Sequence, residues 1–72
     1  MNLSTKQAIM HLETGDIETA RRLIIAELEN ALLDPECWLA MGLVQAESRD
    51  YDYAAQSLEK YLHCLKAKHD AV

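Results

Sequence analysis

The chain has 72 residues, half of them hydrophobic, with only two glycines and one proline, which allows at most one small packed domain and does not fit a disordered segment. Seven basic residues against twelve acidic ones leave a net charge of −5, a field that repels a phosphate backbone, so nucleic acid is not an expected ligand. No stretch approaches the roughly 18 to 20 apolar residues of a membrane span. The opening "MNLSTKQAIMHLETG" carries neither a basic leader nor an apolar signal core, so the chain reads as cytoplasmic and not membrane-bound.

Four helices are predicted from periodicity and punctuation. The first covers about Leu3 to Thr14, with Leu3, Ala8, Ile9 and Leu12 at helical spacing, and Gly15 supplies the left-handed stop. Asp16 is placed to cap the second helix and Glu18 to complement its dipole, so that helix starts at about Ile17. Its stripe is Ile17, Ala20, Ile24, Leu28 and Ala31. Leu23, Ile25 and Leu32 widen the stripe enough to predict packing on two sides.

In "NALLDPE", Asn30 is a candidate left-handed cap, Asp34 a cap for the next helix, and Pro35 suits a first helical turn, where its missing N–H costs nothing. The third helix is predicted from Pro35 to about Ser48 and is apolar nearly all round. Trp38, Met41, Gly42 and Gln45 make one face, and Leu39, Leu43 and Ala46 make another. Asp50 repeats the role of Asp16, and a fourth helix runs from about Tyr51 to Lys68 with Tyr51, Ala54, Leu58, Tyr61, Leu62 and Leu65 on one side. Lys60, Lys66 and Lys68 read as the usual complement to its C-terminal dipole. Short connections force neighbouring helices to be antiparallel, which gives two helical hairpins.

Shifting the chain on itself by thirty-four positions pairs Ala8 with Gly42, Asp16 with Asp50, Ile17 with Tyr51, Ala20 with Ala54, Ile24 with Leu58 and Leu28 with Leu62. In "CWLAMGLVQAESRDYDYAAQSLEKYL", Trp38, Gly42, Tyr51 and Ala54 stand as a tryptophan, a small residue, an aromatic and an alanine do in the tetratricopeptide repeat (TPR) family, which the chain resembles. The resemblance implies an all-α fold: two antiparallel hairpins stacked as a short right-handed superhelix in one domain over 1–72. Repeat one spans about 2–34, repeat two about 35–68, and 69–72 form a tail. Ser4 in place of the tryptophan, Gln45 in place of an aromatic, Glu27 and Tyr61 in place of a small residue, and the displaced Pro35 depart from the family pattern.

Tetratricopeptide proteins commonly hold a peptide or partner helix along the face lined by the first helix of each repeat. By position, the resemblance puts Thr5, Ile9, Leu12 and Glu13, with Leu39, Leu43, Ala46 and Glu47, on that face. The alternative is that these residues fill a local core under Met1 and Leu3. The lysine, asparagine and arginine clamp with which some family members grip acidic chaperone tails has no counterpart at these positions. The expected function is therefore a non-catalytic protein-interaction adaptor for an apolar or amphipathic segment. A small chaperone of a bacterial secretion substrate is the alternative.

Two repeats without a polar capping helix also point to self-association, with Tyr61, Leu62 and Leu65 at the dimer contact unless that stripe is used up on the third helix. Cys37 and Cys64, with His63 beside the latter, lie towards one end of the second hairpin. Two cysteines fall short of the four ligands of a structural zinc site, so a metal or redox protein is the outsider and no cofactor is expected. His11, His63 and His69 form no recognisable triad, no phosphate loop is present, and catalysis has no candidate residue.

Overall fold

A computed structural model describes residues 2–70. The described residues form four helices and no strand: α1 (Leu3–Glu13), α2 (Ile17–Asn30), α3 (Pro35–Glu47) and α4 (Tyr51–Asp70). Packing runs α1 on α2, α2 on α3 and α3 on α4, with α3 also touching α1, so the architecture is two antiparallel hairpins stacked side by side. Among the helices, α4 contacts α3 alone. None of the described helices is long and apolar enough to cross a membrane.

Asp16 and Asp34 cap as the sequence predicts, Asn2 is a further cap, and Asp50 serves α4 through its backbone carbonyl, which accepts the Ala54 N–H at 2.9 Å. Asn2 begins α1 by accepting the Thr5 N–H at 2.8 Å, Asp16 begins α2 by accepting the Thr19 N–H at 3.2 Å, and Asp34 begins α3 by accepting the Glu36 N–H at 3.0 Å. Each satisfies one of the amides that the first helical turn leaves without an internal partner. The bonds from Thr19, with His11 and Arg22 nearby, hold the Asp16 carboxyl below its ordinary value.

The turns between the helices of each hairpin share one backbone design. After α1, Gly15 takes φ +85°, its N–H bonds the Leu12 carbonyl at 3.1 Å, and the Asp16 N–H reaches the His11 carbonyl at 2.8 Å. After α3, Arg49 takes φ +65°, its N–H bonds the Ala46 carbonyl at 3.0 Å, and the Asp50 N–H reaches the Gln45 carbonyl at 2.9 Å. Both are Schellman closures, thirty-four residues apart. The second places a branched cation where the first has glycine, in a region that disfavours any residue with a Cβ.

Two expectations need correction. Asn30 is not a left-handed cap: it ends α2 in helical conformation, its side-chain amide donates to the Ala26 carbonyl at 3.4 Å, and the chain leaves through Ala31 at φ −143°. That side-chain bond serves a carbonyl of the last turn without a positive φ. The fourth helix runs past Lys68 to Asp70 because nothing in "KYLHCLKAKHD" breaks it, which removes most of the expected tail; residues 71 and 72 lie outside the described residues.

The core is small and built largely from small side chains. Ala8, Ala20, Ile24, Leu28, Cys37, Ala40 and Val44 form one buried cluster, with Ile9, Leu12, Ile17, Leu23, Trp38 and Met41 packed on it. Leu23 joins the core, whereas Ile25 and Leu32 face outward. Within the second hairpin, Leu58 lies over Gly42, where an added Cβ would meet its Cδ2 at 3.1 Å.

One polar tie crosses each interface. Asn2 Nδ2 donates to Glu27 Oε1 at 2.9 Å, Arg21 Nη2 to Ser48 Oγ at 2.7 Å, and Ser57 Oγ to Gln45 Oε1 at 2.6 Å, while Thr5 Oγ1 lies 3.5 Å from Cys37 Sγ between α1 and α3. Arg21 also pairs with Glu18 one turn back. Glu27 and Gln45, polar where the repeat pattern leads one to expect small or aromatic residues, are each answered by one of these bonds.

Arg49→Gly should raise stability by about 0.5–1 kcal/mol, because glycine adopts the left-handed turn without strain, and Gly15→Ala should lower it by at least as much. Denaturant unfolding of both variants checks the pair. The Asp16 cap is worth more to the folded chain when ionised, so its contribution is complete at neutral pH and fades as pH falls below the ordinary carboxyl value of 3.8. The gap in melting temperature between wild type and Asp16→Ala should accordingly narrow on acidification.

Candidate functional site

The face predicted to receive a partner lies along α1 and α3, which run side by side in the same sense. On α3, Leu39, Leu43, Ala46 and Glu47 recur at helical spacing and share a side. Leu39 and Ala46 are half-buried, and Leu43 and Glu47 are exposed. On α1, Ile9 and Leu12 are half-buried against the core, and Glu13 is exposed. The outcome is a shallow apolar strip, Ile9–Leu12 on one helix and Leu39–Leu43–Ala46 on the other, with Glu13 and Glu47 at the C-terminal ends of both.

Thr5 does not belong to it. The residue is fully buried, and its hydroxyl is occupied by the Cys37 thiol at the crossing of α1 and α3. At that crossing the helices are too close for a side chain to remain open, and a small polar residue with a buried partner suits the gap. Leu43 is the most open apolar member of the strip, with 42% of its surface exposed.

Tyr61, predicted together with Leu62 and Leu65 at a dimer contact, separates from them. It shares the α3-facing row of α4 with buried Ala54 and Ser57 and half-buried Cys64, whereas Leu62 and Leu65 lie on the outer side. The spacing 54–57–61–64 puts Tyr61 in the hairpin.

Cys37 and Cys64 are both free thiols at the same end of the second hairpin, but their surroundings differ. Cys37 Sγ lies in the core between Thr5 and Asp34, at 3.5 and 3.9 Å, and burial pushes its thiol pKa up. Cys64 is half-buried, its thiol 3.9 Å from the Leu32 carbonyl that the Trp38 indole N–H bonds at 2.7 Å. The Lys60 ammonium sits over the Trp38 ring, 4.5 Å from its centre. Leu32 O is therefore where the α2–α3 connection is held to α3 and α4. Among the described residues no three His, Cys, Asp or Glu side chains converge as a metal site.

The structure also contains a cleft that sequence reasoning missed. A hollow of about 530 Å³ is lined by Asn2, Leu33, Asp34, Pro35, Glu36, Cys64, Ala67 and Lys68, where the start of α3 meets the last turns of α4. Residues from three parts of the chain form it, so no local spacing marks it. A second hollow of about 520 Å³ lies between α1 and α2 beside Met10, His11 and Leu23. Compared with protein-family models, curated proteins and solved structures, the chain gives no match.

The environments of the two thiols set their reactivity. One equivalent of thiol, from Cys64, should react with a bulky disulfide reagent in the native protein, and Cys37 should follow only on unfolding, since a thiol is protected by burial and by a raised pKa. Thiol counting with and without denaturant, with Cys64→Ser as control, checks this. Two equivalents reacting at equal rates in the native state would contradict the buried contact of Cys37.

Proposed function

We propose that the protein is a non-catalytic protein-interaction module of the tetratricopeptide kind, which takes up an apolar or amphipathic segment of a partner along its α1–α3 face. The observation that carries the reading is the exposed Leu43 on a helix that is apolar nearly all round, flanked by the half-buried Leu39, Ala46, Ile9 and Leu12. A row of this spacing suits a helical ligand that inserts its own i, i+3 and i+4 side chains.

Support for the repeat reading comes from paired details at a shift of thirty-four. The left-handed Gly15 and Arg49 close equivalent turns, and Ala20 and Ala54 are both buried at equivalent helix contacts. Glu13 and Glu47 at one end of the strip, with no lysine or arginine among its residues, favour a ligand that is neutral or basic at that end and disfavour an acidic tail.

A library of displayed amphipathic helical peptides tests the proposal. Selected peptides should be rich in leucine or aromatic residues at helical spacing. Leu43→Glu should weaken them at least about tenfold, equivalent to about 1.4 kcal/mol, while leaving the circular dichroism spectrum unchanged. Peptides that bind wild type and Leu43→Glu equally would show that the ligand lies elsewhere.

A further inference from the structure

α4 carries a second side chain row that the hairpin uses only at Leu58, whose inner edge lies over Gly42. Tyr51, Ala55, Leu58, Leu62 and Leu65 follow one another at alternating steps of four and three residues, the spacing of a coiled-coil seam. All five are exposed. The row lies beside the one that packs on α3, formed by Ala54, Ser57, Tyr61 and Cys64.

The first hairpin shows what is missing from the second. Ile24 and Leu28 of α2 are 0% and 7% exposed, and α2 has α3 packed beside it. Their counterparts thirty-four residues on, Leu58 and Leu62, are 40% and 61% exposed, and α4 has no helix on that side. The same positions are apolar in both hairpins and covered in only one.

Charge selects the occupant. The first nine residues of α4, 51–59, carry Asp52 and Glu59 and no basic residue, and the rest carry Lys60, His63, Lys66, Lys68 and His69 before the single acidic residue Asp70 at the end. A second α4 lying antiparallel brings acidic half against basic half, and a parallel one sets like charges together. Lys60 is turned to Trp38 and away from the seam, which leaves Asp52, Glu59, His63 and Lys66 along its open flank.

We propose that the protein forms a two-fold symmetric dimer through antiparallel pairing of α4 with α4 of a second copy, the axis passing between the levels of Leu58 and Leu62. In this register Leu58 meets Leu62 of the second copy, Ala55 meets its Leu65, and Tyr51 meets its His69. Lys66 then lies opposite Asp52 of the second copy, twice, as an isologous interface requires, and the two Glu59 carboxylates flank the axis with a His63 of each copy beside them. The surface is separate from the α1–α3 strip, so the dimer stands or falls independently of the peptide-binding reading.

Sedimentation equilibrium of the full chain from micromolar to millimolar concentration tests it, with circular dichroism to confirm folding. The wild type should be a reversible dimer. Leu62→Glu, at a site that contributes little to the monomer, should raise the dissociation constant about a hundredfold by burying an unpaired carboxylate on each side of the axis. Lys66→Glu should weaken the dimer and Lys66→Glu with Asp52→Lys should restore it. A wild-type chain that remains monomeric throughout, its open face then serving a different protein, overturns the proposal, as does a dimer that survives Leu62→Glu. A dimer lost in Leu62→Glu but not recovered by the charge exchange overturns the antiparallel register.

Discussion

Everything in this fold depends on how closely two helices approach inside a hairpin, and that approach is allowed by side chains that are nearly absent. Ala8 and Ala20 in the first hairpin, and Gly42 and Ala54 in the second, are buried where larger residues would hold the helices apart. With the backbones drawn together, Ile24 and Val44 fill the remaining space, and a chain of 72 residues obtains a continuous core from few large side chains. Burying a residue such as Ile24 contributes roughly 1.5–3 kcal/mol, a large share of the stability of so small a domain. The polar ties between helices set register more than they add stability, since a hydrogen bond of this kind nets only about 0.5–1.5 kcal/mol.

The helices and their order could be read from the sequence because their signals are local: a capping aspartate three residues before the amide it serves, a glycine in the only conformation it tolerates better than others, a proline in a first turn. What escaped was non-local. Nothing near Thr5 announces that Cys37 will sit against it, and a threonine on the expected binding face reads the same whether open or closed. The cleft beside Cys64 needs the α2–α3 connection and the end of α4 in one place, and Tyr61 was grouped with Leu62 because one stripe was drawn where the helix has two adjacent rows. Arg49 was invisible for another reason: its conformation contradicts its residue type, and only the shift that aligns it with Gly15 gives it away.

Two of the exposed apolar surfaces differ in character. The α1–α3 strip is shallow and partly submerged in the core, so a ligand there would be gripped by a few protruding groups such as Leu43. The outer row of α4 is long and regular, with apolar side chains spaced four and three residues apart from Tyr51 to Leu65. On the two proposals made above, one chain would present a ligand face and an assembly face without either intruding on the other, because α3 stands between them.

The attachment of α4 through α3 alone has a kinetic meaning. A segment held by one helix can detach without disturbing the rest, but the α3–α4 contact is the most extensive in the fold, so α4 detaches as one cooperative unit, with the strained turn at Arg49 as its hinge. Amide exchange within the middle turns of α4 would then be concerted.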